Sequence, residues 1–164
     1  VTAATDLVVA SESPDRPDVV ALLTEHLADM YATSPPESVH ALDLSALLDP
    51  AITFLTARDA HGTVLGCGAL KELDAGHGEL KSMRTTAAAR GRGVATAVLR
   101  RLLAVAAERG YARVSLETGT QEFFAPARRL YARHGFTECP PFAGYGPDPH
   151  STFMTLALPA GATA

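Results

Sequence analysis

From residue 92 to 109 the chain carries one apolar stripe, Val94, Ala95, Val98, Leu99, Leu102, Leu103 and Ala106, at helical spacing. Gly110 supplies a stop. Directly after it, Tyr111–Glu117 alternates, with Ala112, Val114 and Leu116 on one face, which predicts a strand. Directly before the stripe stands Arg90-Gly91-Arg92-Gly93, and before that Glu79–Thr85 reads as another strand. This strand–helix–strand passage, with the later one through Pro126–His134, implies at least one parallel pair. This passage therefore constrains the fold more than any other.

The remaining elements follow from period and breakers. Thr5–Ala10 predicts a short strand and Pro14–Tyr31 a helix, with Val19, Val20, Leu23, Leu27 and Met30 recurring. Ser34-Pro35-Pro36-Glu37 is a break, and Leu42–Leu48 a short second helix ended by Pro50. Ile52–Arg58, Thr63–Leu70 and Glu79–Thr85 predict three strands joined by turns at His61-Gly62 and Gly76-His77-Gly78. Pro126–His134 predicts a short helix closed by Gly135, with His134 favourable at its negative end, and Phe136 begins another strand. Cys139–His150 is a Pro- and Gly-rich loop, Ser151–Leu158 the last strand, and Pro159–Ala164 a loose tail. The order β-α-α-β-β-β-α-β-α-β-β predicts an α/β (α+β) chain with an antiparallel half and at least one parallel pair. With no repeat and no long linker, residues 1–164 read as one domain.

Charge is divided along the chain. Residues 1–80 hold 13 acids and 3 bases, and residues 81–164 hold 5 acids and 11 bases. This fits either two solvated faces of opposite sign or a polyanion site facing an acidic mouth that favours cations. A net charge of −4 argues against a general nucleic-acid partner. No apolar run approaches a membrane span, and the acidic start does not read as a signal peptide. Cys67 and Cys139 have no metal-type spacing, so no metal is expected and a cytoplasmic setting is the default. Cys67, between two glycines on a strand, reads as a small core residue.

The chemistry concentrates at Arg90, Gly91, Arg92, Gly93, Val94, Ala95 and Thr96. A helix N-terminus leaves backbone N–H groups unpaired and carries about half a positive charge. Glycines admit a phosphate to the backbone, and the two arginines add charge and bidentate donors. A pyrophosphate fits such a place. No Gly-Lys-Ser/Thr follows, and the spacing of a dinucleotide fingerprint is absent.

Here the chain resembles the GNAT superfamily of N-acetyltransferases. Arg90, Gly93 and Ala95 fill the family's Arg/Gln-x-x-Gly-x-Gly/Ala pattern. Leu130-Tyr131-Ala132-Arg133-His134-Gly135-Phe136 fills its Leu-Tyr-x-x-x-Gly-Phe segment, and the likeness covers roughly residues 52–158. One departure is Phe124, where many members carry Asn seven residues before the tyrosine. The closer likeness is to a bacterial subgroup of acetyltransferases. It is loose over Ser34–His40 and firmer at Leu116–Gly119, Pro141-Phe142 and Ser151–Met154. The resemblance implies a mixed, mainly antiparallel central sheet flanked by helices, with a V-shaped splay between strands.

It also implies acetyl-CoA as cosubstrate and direct transfer, in a ternary complex, to a small amine or amino-acid-like acceptor. Alternatives are acetylation of a protein or peptide amine, and acyl-CoA binding without transfer. A lysine-like amine of pKa about 10.4 must lose a proton before it attacks, so a general base is useful. Glu79 matches the family's carboxylate; His77 or a water chain is the rival. Tyr131 matches the proton donor to the departing thiolate, and Met83, Arg84 and Thr85 the backbone that pairs with the pantetheine arm. Glu37, His40, Tyr145, Asp148 and His150 lie in irregular segments that could line the acceptor side. Dimers are common for this fold, so a homodimer is an assembly the resemblance allows.

Overall fold

The computed structural model describes residues 7–39 and 43–159. Its elements follow the expected order: β1 (Val8–Ser11), α1 (Pro17–Thr33), α2 (Leu44–Leu47), β2 (Ile52–Arg58), β3 (Val64–Asp74), β4 (His77–Thr85), α3 (Val94–Glu108), β5 (Arg113–Gly119), α4 (Ala125–Arg133), β6 (Thr137–Glu138) and β7 (Ser151–Ala157). His40, and the ends of the strand expected over Thr5–Ala10 and of the helix expected over Leu42–Leu48, lie outside the described residues.

Boundaries move where local chemistry decides them. The first helix begins at Pro17, whose fixed φ suits the opening turn, three residues after its expected start. The β3–β4 turn is tighter than the Gly-His-Gly signal implied. Asp74 Oδ1 accepts the Gly76 N–H at 2.8 Å, and His77 is already a strand residue. The long helix begins at Val94, because Gly93 sits at φ 81°, outside helical space.

Seven strands form one sheet in the order β1-β2-β3-β4-β5-β7-β6. Among the described residues every pairing is antiparallel except β4–β5, so of the two strand–helix–strand passages it is the one through α3 that supplies the expected parallel pair. That parallel pairing stops at Leu80↔Leu116, while β4 runs on to Thr85 and β5 to Gly119. Beyond Leu80 the two strands part, which is the expected splay.

Helices cover both faces. One core joins Leu55, Leu80, Val98, Leu102, Leu116 and Tyr131 around α3 and α4; the other joins Val19, Leu22, Leu47, Phe54 and Ala69 around α1 and α2. α3 lies close to the sheet because β3 lacks bulk beneath it. A Cβ at Gly68 would stand 2.5 Å from Met83 Sδ and 2.8 Å from Val98 Cγ1. No described helix is long and apolar enough to cross a membrane.

Candidate active site

The site is organised by an irregularity in β4. Cys67 faces Arg84 and Ala69 faces Lys81, so two steps along β3 match three along β4. The extra residue is a bulge, with Ser82 at φ 56°, inside the left-handed region. Cys67 and Ala69 share a sheet face, so the bulge brings their partners Lys81 and Arg84 to that face as well. Arg84 is buried there and pairs with Glu25 and with Asp29 of α1, the latter at 2.7 Å. Burial pushes the Cys67 thiol up to about 12, consistent with a packing residue rather than a nucleophile.

Two cavities open on this stretch. The narrow one, about 100 Å³, lies in the β4–β5 splay between Lys81, Ser82, Met83, Glu117, Thr118, Phe124 and Tyr131, with His26 of α1 at its wall. The wider one, about 510 Å³, is bounded by Glu37, Lys71, Glu79, Lys81, Tyr145 and Asp148. Lys81 lines both, so the two cavities adjoin at this residue.

At that junction three polar side chains share hydrogen bonds. The Tyr145 hydroxyl donates to Glu79 Oε2 at 2.6 Å, and Lys81 Nζ donates to the same oxygen at 3.1 Å and to Tyr145 Oη at 2.8 Å. Glu79 is 2% exposed, so its charge needs this company. Burial and the Glu79 carboxylate push the Tyr145 phenol well above its ordinary range. The loop before β7 reaches the sheet because its rings pack: Phe142, Tyr145 and Phe153 lie with centroids 5.2–5.9 Å apart, and His77 stands 5.8 Å from Phe142. A second tie runs from Ser38 Oγ to Asp148 Oδ2 at 2.6 Å, joining this loop to the turn that carries Glu37.

The start of α3 offers a cradle. Ala97 makes the first i→i−4 bond, to the Gly93 carbonyl, so the N–H groups from Val94 to Thr96 precede the helical ladder. Gly91 and Gly93 both have positive φ, and the space a Cβ would take at either is open. Arg90 and Arg92 are exposed beside them. This opening, its donors and its charge fit a pyrophosphate, and the splay beside Met83 fits a slender arm leading from it.

The sequence-derived candidates divide accordingly. Glu37, Glu79, Tyr145 and Asp148 come together around the wide cavity, and Tyr131 and Met83 at the narrow one. Burial pushes the Tyr131 hydroxyl above its ordinary range. Phe124, noted in the sequence as a departure from the Asn of many members, lines the narrow cavity. Arg84 turns its side chain to α1, which leaves only its backbone for the splay. His150 is exposed and sits 3.5 Å from Gln121, outside the residues lining either cavity. His77 Nε2 is engaged with Ser115 Oγ at 2.7 Å, which weakens it as a rival base. His134 Nδ1 lies 2.9 Å from the Leu130 carbonyl at the end of α4, as a helix-end residue should. Sequence reasoning gave Lys71 and His26 no role and saw Lys81 only as an ion-pair partner for Glu79. Lys81 and Glu79 are two apart on a strand, a spacing that puts them on one face, but nothing in the sequence showed that Tyr145 would join them.

Comparison with known proteins accords with this geometry. Residues 19–136 match the model of the acetyltransferase (GNAT) family. The chain is 54% identical over 140 residues to the uncharacterised N-acetyltransferase YsnE of Bacillus subtilis strain 168, covering 85% of this chain and 92% of that one. It is 47% identical over 150 residues to the uncharacterised N-acetyltransferase YedL of Escherichia coli K12, covering 92% and 94%. A crystal structure from Klebsiella pneumoniae, named for an acyl-CoA N-acyltransferase, superposes with a TM-score of 0.80 at 30% identity over 93% and 97% of the two chains.

Proposed function

The chain belongs to the acetyltransferase (GNAT) family and is an acetyl-CoA-dependent N-acetyltransferase; from that premise we propose direct transfer, in a ternary complex, to a small amine or amino-acid-like acceptor held between β4 and the loop before β7. One observation carries the reading: the narrow splay and the wide polar cavity share Lys81, so groups entering from opposite sides meet there. Acetyl-CoA, when bound, supplies the activated acyl group. Val94 to Thr96 would hold its pyrophosphate through their N–H groups with Arg90 and Arg92, and the β4 backbone from Met83 to Thr85 would line its arm.

Glu79 serves as the general base. Among the described residues both hydrogen bonds it accepts fall on Oε2, which leaves the lone pairs of Oε1 for the acceptor's ammonium. Neutralising such an ammonium at pH 7 costs about 4–5 kcal/mol, so a base at this point lowers a real barrier. Tyr131 holds a proton at Oη on the other side of the junction. Burial favours the protonated phenol, and a thiol of ordinary pKa near 8.5 leaves readily. Tyr131 therefore acts by donating a hydrogen bond to the departing sulfur.

Initial rates of CoA thiol release across an amine panel test the proposal. Intersecting reciprocal plots are expected for a ternary complex; parallel plots would indicate an acyl-enzyme, and an absence of release with every amine would remove transfer to small amines.

A further inference from the structure

The wide cavity holds two charges that its own side chains leave unanswered. Lys71 is half-buried at its wall and Glu37 exposed at its rim, and among the described residues neither makes an ion pair or a hydrogen bond. Every other charged side chain lining this cavity is occupied: Glu79 with Lys81 and Tyr145, and Asp148 with Ser38. Lys71 stands directly across the β3–β4 ladder from Glu79. Opposed residues of an antiparallel pair share a face with Cβ atoms about 4.5–5.5 Å apart. An ammonium stem and a carboxylate in that relation would ordinarily pair. Here Glu79 is drawn to Lys81 and Tyr145 instead, which leaves the Lys71 cation facing the cavity.

We infer that the acceptor is an amine bearing a carboxylate one or a few bonds away, with Lys71 binding the carboxylate while Glu79 receives the amine's proton. This inference rests on the transfer reading above and narrows it. Lys71 and Glu79 spring from opposed positions of adjacent strands and both line the cavity, so one small molecule carrying an ammonium and a nearby carboxylate can engage both. A monoamine would leave Lys71 without an anion beside it, and a dianion would meet Glu37, Glu79 and Asp148. Lys71 is thus a specificity-determining residue, worth about one charge-assisted hydrogen bond.

The test compares the common α-amino acids with their carboxamides and decarboxylated amines, on wild type, Lys71→Met and Lys71→Arg, by thiol release. Wild type should favour the best acid over its amide about tenfold to a hundredfold in kcat/KM. Lys71→Met should lose that preference through a higher KM for the acid, with kcat and the amide's constants little changed, and Lys71→Arg should keep most of it. Acid and amide used equally by wild type, or both impaired alike by Lys71→Met, would overturn the inference while leaving amine acetylation intact. Should no amine release thiol, calorimetry of N-acetyl amino acids against N-acetyl amino-acid amides, on CoA-loaded protein, reads the same contact. Tighter binding of the acid, lost in Lys71→Met, upholds it, and equal binding overturns it.

Discussion

Replacing Lys81 by Met would leave the buried Glu79 carboxylate with, among the described residues, only the Tyr145 hydroxyl hydrogen-bonded to it. Breaking a buried pair this way costs about 3–5 kcal/mol. We therefore expect Lys81→Met to melt well below wild type and to turn over poorly; unchanged melting would mean that the pair is dispensable. Glu79→Gln keeps the shape and should reduce kcat on the order of 10²–10⁴-fold with CoA affinity preserved, as measured by thiol release beside calorimetry. Tyr131→Phe should fall short of the larger end of that range, because a thiol leaves readily and the hydroxyl only donates; equal turnover of the two proteins would remove Tyr131 from the chemistry. At this scale the sequence named Glu79, Tyr131, Tyr145, Glu37 and Asp148 one by one. It did not show that they meet, since the meeting depends on how a loop 66 residues past Glu79 packs its rings on the sheet. Lys81 was legible only as a pairing partner of Glu79, and Lys71 not at all: a lysine on a strand looks solvated until its partners are known.

Among the elements, α3 and the loop before it were the most legible, because a 3.6-residue period and paired glycines leave little freedom of interpretation. The β4 bulge was not legible. Ser82 carries no signal for positive φ, yet it sets which side chains face α1 and which backbone faces the splay. The cradle at the start of α3 makes a separate prediction. Gly93→Asp would place a side chain and a negative charge in the open space over the N–H groups from Val94 to Thr96. CoA binding by titration calorimetry should be lost, and an unchanged Kd would show that the phosphates lie elsewhere.

For the molecule as a whole, a mixed sheet with at least one parallel pair followed from element order, whereas the insertion of β7 between β5 and β6 did not. Strand order depends on long-range pairing that local patterns do not encode. The whole fold also carries a titration. His26 of α1 is held neutral by burial and by the Arg84 charge, which bring its pKa down from 6.5 to about 4. Between those values the unfolded chain binds the extra proton, so stability should rise with pH from about 4 to 6.5. His26→Gln should flatten the melting temperature across that window; an identical pH profile would mean that His26 is solvated in the folded protein.

In the proposed complex one ligand enters through the splay, another through the cavity under Tyr145, and they meet at Lys81. A crystal structure of the protein soaked with coenzyme A tests it most directly. The pyrophosphate should rest on the N–H groups from Val94 to Thr96 and the sulfur should reach the junction between Tyr131 and Glu79. A sulfur directed away from that junction, or phosphates bound off the start of α3, would contradict the account.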